Sequence, residues 1–150
     1  MTVGKATLVE NIFQDFYDLF NSITGFTGNI YPAFPYKDLD AATSKNSYPV
    51  FILSSPDIIS WKNFTLRKLI AEGTITLDIY TSSAKTCDEY TSDAFDKIET
   101  SIASLRANNL EFIELDSMSK DVVQRAKINI HFKTIKWRYK FVFSRTSLPY

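Results

Sequence analysis

Three sets of residues in this 150-residue chain are of types that do chemistry. Cys87 and His131 are its lone cysteine and histidine. A thiol and an imidazole brought together in space act as nucleophile and base, and such partners need not be sequence neighbours. Cys87 falls in the first turn of an expected helix, where a thiolate is favoured. Against this, a single Cys and a single His arise in a chain of this length without function, and His131 points outward on a basic strand. The second set is carboxylate: Glu111, Glu114 and Asp116, and separately Asp38 and Asp40. Glu114 and Asp116 share a strand face, as a weak hard-cation site or an acid/base pair requires. A solvated acidic edge looks the same, and no third element converges on the pair. The third set is Lys133, Lys136, Arg138, Lys140 and Arg145, interleaved with Trp137 and Tyr139. Cations and aromatics of this kind line surfaces that track a nucleic-acid backbone. Strand alternation, however, sends the cations to one face and the aromatics to the other. The cations then form a stripe that meets a neighbouring subunit, water or phosphate.

Motifs that specify an enzyme are missing. Neither Gly-x-x-x-x-Gly-Lys-Ser/Thr nor Gly-x-Gly-x-x-Gly occurs, and there is no Gly-x-Ser-x-Gly. One cysteine excludes an internal disulfide framework and a cysteine-based zinc cluster, and one histidine excludes the paired histidines common in catalytic metal sites. A non-enzymatic chain without metal or cofactor is the expectation. No apolar run approaches the roughly 18 residues of a spanning helix. The first residues, Met-Thr-Val-Gly-Lys-Ala-Thr, lack the order of a signal peptide. An intracellular chain with no membrane contact and no small-molecule substrate is therefore expected.

Overall charge is zero, from 17 basic and 17 acidic residues. That neutrality is a cancellation. Residues 1–120 sum to −6 and residues 121–150 to +6. The carboxylates Asp93, Asp96 and Glu99 fall on one face of an expected helix, and Lys136, Arg138 and Lys140 on one face of an expected strand. A contact between copies, acidic helix against basic strand, is the favoured reading of this asymmetry.

The elements that must position these groups follow from hydrophobic spacing. Leu8, Ile12, Phe16, Leu19 and Ile23 predict a helix over 7–23, widened by Phe13 and Phe20, with Thr7 and Glu10 as a capping box. Residues 24–47 predict a long connection. Its aromatic stretch Tyr31-Pro32-Ala33-Phe34-Pro35-Tyr36 either projects as a binding arm or tucks back on the core. Residues 48–53 predict a strand buried on both faces. Ile75, Leu77 and Ile79 alternate cleanly, and the change of phase across Gly73 predicts a turn or bulge there. Thr86 and Glu89 predict the start of a helix over 86–107, with Phe95, Ile98, Ile102 and Leu105 buried. A short strand over 110–116 and a long one over 122–132 follow. A second change of phase at Lys133-Thr134 predicts a bulged or bent strand running on through Phe143. The sum is one α+β domain over 1–150: an antiparallel or mixed sheet of about 4–6 strands, with the N-terminal helix and the second amphipathic helix packed on one face. A ferredoxin-like arrangement is the alternative.

This order resembles the tail-completion or tail-terminator proteins of long-tailed bacteriophages. The resemblance is carried by the opening helix, by Tyr48-Pro49-Val50-Phe51-Ile52-Leu53, by Gly73–Ser82 leading into the acidic helix, and by the late run Val123–Phe132. It spans roughly residues 48–134. The loop at 24–47 and the extension at 135–150 are longer than the family pattern. The resemblance implies a virion structural protein assembled in the host cytoplasm. Copies would form a ring, a homohexamer, that caps the tail tube and joins it to the head. It carries over no catalytic residue. Under it, Lys136, Arg138 and Lys140 with Asp93, Asp96 and Glu99 are candidate subunit-interface residues. Tyr31, Phe34 and Tyr36 are candidates for contact with the tube protein or the head connector. A head-side neck or stopper protein fits the same pattern, and a nucleic-acid-binding module is the second alternative.

Overall fold

The structure, a computed structural model, describes residues 8–31, 48–63, 68–108, 110–125 and 128–144. Its elements are α1 (Leu8–Asn21), β1 (Ile30–Tyr31), β2 (Val50–Leu53), β3 (Asp57–Asn63), β4 (Lys68–Thr81), α2 (Ala84–Thr100), α3 (Ile102–Ala107), β5 (Leu110–Arg125) and β6 (Ile128–Ser144). The strands form one 6-stranded sheet in the order β1-β2-β4-β6-β5, with β3 also paired to β4. All pairings are antiparallel except β1 with β2. The helices pack on one face, so the α+β expectation holds.

The core lies between helices and sheet. In α1, Ile12, Phe16 and Phe20 recur every fourth residue and are fully buried, each stabilising by roughly 1.5–3 kcal/mol. Phe16 lies against Tyr139 and Phe20 against Trp137, at ring distances of 6.1 and 5.5 Å. Phe20 rather than Leu19 is the deeper residue. In α2 the buried line is Cys87, Thr91, Ala94 and Ile98, while Phe95 and Ile102 are half-buried. The expected helix is thus rotated. It also begins earlier, with Ser83 as N-cap, so Thr86 lies inside it and forms no capping box. It breaks at Ser101, where α3 takes over. Thr7 and its expected cap lie outside the described residues.

Residues 24–31 do not project. Gly25, with φ of 95°, turns the chain so that Phe26 stacks on Phe51 at 3.8 Å and meets the edge of Tyr90 at 5.5 Å. A side chain at Gly25 would come within 2.8 Å of the Tyr90 ring. Tyr31 belongs to β1, half-buried against a second apolar cluster. Phe34, Tyr36, Asp38 and Asp40 lie outside the described residues.

That second cluster sits on the reverse face of the sheet, away from the helices. It joins Tyr48, Val50, Ile52 and Ile130, with Tyr31 and Tyr80 against it, and Phe132 stacks on Tyr80 at 5.0 Å. It explains one mistaken expectation. The register of β6 against β4 runs unbroken from His131 to Ser144, so Lys133-Thr134 holds no bulge. The apolar phase changes because Ile130 and Phe132 cover the reverse face, whereas Ile135, Trp137, Tyr139 and Phe141 face the helices. The expected strand over 122–132 is likewise two strands, since Arg125 pairs with Ile128 across a two-residue connection. The expected short strand at 110–116 is the first half of the long β5.

At Gly73 the expected irregularity exists, but in the partner strand. Alternation in β4 is continuous through Gly73, and the register shifts in β3 between Ile58 and Ser60. The cause is a close approach. Tyr139 stands opposite Gly73 on β6, and its hydroxyl donates a hydrogen bond across it to the Asp57 carbonyl of β3, at 3.1 Å. A Cβ at position 73 would fall on that carbonyl oxygen and within 2.7 Å of the Tyr139 hydroxyl. Burial pushes the Tyr139 phenol well above its usual pKa, with Asp57 adding to it. It therefore stays a donor at all ordinary pH values.

Two measurements check this packing. Gly73→Ala is expected to destabilise by about 2–4 kcal/mol in urea unfolding, since neither backbone can withdraw without breaking the ladder. Tyr139→Phe, which keeps the ring, should cost only about 1 kcal/mol. Near-neutral behaviour of Gly73→Ala contradicts the close approach. The half-buried Asp15 of α1 gives a pH signature. Burial, with Asp18 adding, raises its pKa from 3.8 to about 6. The folded state then holds a proton that the unfolded state has released, so stability falls as pH climbs from about 4 to 6 and stays lowered above that. Asp15→Asn should melt higher than the parent at pH 7.5, with the gap closing below pH 4. Equal melting at pH 7.5 would refute it.

Candidate interaction surface

Register fixes where every charged group points. The even-numbered residues of β6 pair with the even-numbered residues of β4, so Lys136, Arg138 and Lys140 lie together on the reverse face, as alternation predicted. Their aromatic neighbours Trp137 and Tyr139 are buried beneath the helices. The face is not purely basic. Arg138 reaches Asp116 at 3.4 Å and Glu114 at 3.9 Å on β5, and Lys140 stands opposite Glu72 of β4. These carboxylates interrupt a phosphate-tracking surface. They also give Glu114 and Asp116 a partner within the chain. Such exposed pairs are worth at most about 1 kcal/mol, and can exchange partners.

Asp93, Asp96 and Glu99 are exposed on α2. The buried line of α2 faces the sheet, which puts these carboxylates on the helix side of the protomer. The acidic and basic sets therefore occupy opposite sides of the sheet and do not meet within one chain. Asp88, near the start of α2, is different. It pairs with Lys133, an odd-numbered β6 residue that faces the helices. Hydrogen bonding and charge from Lys133 hold the Asp88 carboxyl below its usual pKa. On the reverse face, Asp78 Oδ1 is buried without a hydrogen-bond partner among the described residues. Burial raises its pKa, against a hydrogen bond from Thr134.

Cys87 and His131 do come to one place. Both line an open groove of about 370 Å³ between the start of α2 and the β5–β6 pair, with Asp88, Lys120 and Val122. The thiol is nevertheless ill suited to attack. Cys87 is 2% exposed, its Sγ–H donates to the Ile79 carbonyl at 3.7 Å, and burial pushes its pKa up. Helix position alone suggested activation; packing against β4 reverses it. Among the described residues no three His, Cys, Asp or Glu gather as metal ligands.

A feature that spacing did not reveal is the outer surface of β5. All residues from Glu114 to Val122 are exposed, including Leu115 (43%), Met118 (40%) and Val122 (53%). Their partners on β6 are Trp137, Ile135 and His131, so all three point to the helix side, beyond the helices' cover. The register shift between Leu115 and Ser117 changes the parity of the strand. That shift is why no simple alternation marks them in the sequence.

No protein-family model and no curated protein matches this chain. Among solved structures, a chain described as "Virion of native gene transfer agent (GTA) particle" is similar at 11% identity and a TM-score of 0.49. The alignment covers 85% of this chain and 91% of that one.

The burial of Cys87 has a measurable consequence. Its maleimide reaction in the folded protein should be at least about tenfold slower than in urea-unfolded chain. Equal rates would show that the thiol is open to solvent.

Proposed function

We propose that this chain is a structural protein of a phage-like virion, whose copies assemble head-to-tail into a closed ring that caps a tail tube and joins it to the head. One observation carries the self-assembly: the carboxylates Asp93, Asp96 and Glu99 and the cations Lys136, Arg138 and Lys140 occupy opposite sides of the protomer. Complementary surfaces that point away from each other cannot neutralise one another inside one chain. They can do so between successive copies, and a contact between unlike surfaces generates a ring when its rotation closes. The tail-terminator role, and with it a hexamer, rests on the resemblance in element order. The tube protein and the head connector are then the partners of the ring's two ends. The chain acts by shape and charge rather than by catalysis.

Charge exchange tests the contact. Reversing the cations (Lys136→Glu, Arg138→Glu, Lys140→Glu) should disperse the assembly, and reversing the acids (Asp93→Lys, Asp96→Lys, Glu99→Lys) should do the same. Combining all six in one chain should restore a particle of parental mass in light scattering. If the cation reversal leaves particle mass unchanged, the contact is wrong. If it abolishes DNA binding instead, the nucleic-acid alternative takes its place.

A further inference from the structure

The strand β5 presents an edge that demands cover. It is 16 residues long, contains no proline, and among the described residues nothing pairs with its outer side. Proteins blunt exposed edges with short strands, prolines, charges or bulges, because a row of unpaired N–H and C=O groups is a template for another strand. Here the edge has two irregularities, between Leu110 and Phe112 and between Leu115 and Ser117, and apolar residues are displayed along it. Among the described residues five large apolar side chains are exposed, and three of them, Leu115, Met118 and Val122, lie on this strand.

We propose that the occupant is a second copy of this chain, pairing β5 against β5 in antiparallel fashion about a two-fold axis near Met118. The strand is built to match itself. Met118 stands at its middle, with Leu115 and Val122 on either side and on the same face. A two-fold axis there sets Met118 directly against Met118 of the other copy. Charge follows the same rule. Glu111, Glu114 and Asp116 lie in the first half, while Lys120 and Arg125 lie in the second, with Asp121 the lone acid there. Antiparallel pairing sets the acidic half of each strand beside the basic half of the other, with Lys120 near the partner's Asp116. A parallel arrangement would set acid on acid. The backbone edges satisfy each other's hydrogen bonds in the same step.

This contact is distinct from the one proposed above. That one joins the two faces of the sheet; this one uses its edge and belongs to chains not yet built into the ring, whose two ends must differ, so either contact survives loss of the other. The cross-strand distance at the axis makes it testable by a disulfide. Directly opposed residues of an antiparallel pair hold their Cβ atoms about 4.5–5.5 Å apart, close to the reach of a disulfide. Met118→Cys should give a covalent dimer under mild oxidation, whereas Glu111→Cys, far from the axis, should not. The native Cys87 is buried and does not compete. Separately, Met118→Lys should weaken dimerisation at least tenfold in sedimentation while its melting temperature stays near the parent's, since the residue is exposed. Failure of Met118→Cys to cross-link overturns the proposal, as does cross-linking at both positions alike, which signals random collision. Hydrogen exchange then separates the remaining occupants. Protected β5 amides in a non-cross-linking monomer would mean that the chain covers its own edge, and freely exchanging ones that a different protein takes it. Either result also overturns the proposal.

Discussion

The Tyr139 hydroxyl crosses Gly73 to reach the Asp57 carbonyl, and the outline of the sheet follows from that crossing. One strand, β4, must pair with β6 along its whole length on one side. On the other side it must carry two short strands, β2 and β3, end to end. The chain passes between these through Ser54, Ser55 and Pro56, while the Ser54 N–H still bonds to Thr76. Where β3 begins, its backbone comes so near β4 that no Cβ fits, and a tyrosine from the far strand ties it down. The same ring packs against Phe16, so the position of α1 is coupled to the point where β3 joins. The glycine is thus a packing requirement, since its φ is not among the positive ones.

Much of this was legible because burial acts on spacing. The stretch Ile12, Phe16 and Phe20 encodes its helix, and the β4 run Ile75, Leu77 and Ile79 its strand. The two-sided burial of Val50–Leu53 was readable from a continuous apolar run. What failed has a common cause. A change in apolar phase has two physical origins, a bulge or a change in which face of the sheet is covered. At Ile130 to Ile135 it is the second, because an aromatic cluster roofs one end of the reverse face. Spacing within one strand does not distinguish them. The connection between Arg125 and Ile128 carries neither glycine nor proline, so nothing local announced it. Ser83 rather than Thr86 starts α2, although its side chain makes no capping bond.

The candidate surfaces show the same division. Alternation correctly placed Lys136, Arg138 and Lys140 on one face, opposite Trp137 and Tyr139. It did not reveal that Glu114 and Asp116 face Arg138, because that depends on a pairing between residues 22 positions apart. Nor did it find Leu115, Met118 and Val122 as a row, since an irregularity interrupts their period. The chain's formal neutrality has acquired a geometry. Asp93, Asp96 and Glu99 lie on the helix side of the layered protomer, and Lys136, Arg138 and Lys140 lie on the reverse face, together with Glu72, Glu114 and Asp116.

The proposed head-to-tail assembly through those sides depends on charge brought together across an exposed contact, which salt screens. Sedimentation velocity of the purified chain from low to high ionic strength tests it most directly. A discrete multi-subunit species at about 50 mM salt, giving way to smaller species near 1 M, is the predicted result. A single mass that does not respond to salt, whether monomer or larger, would contradict it.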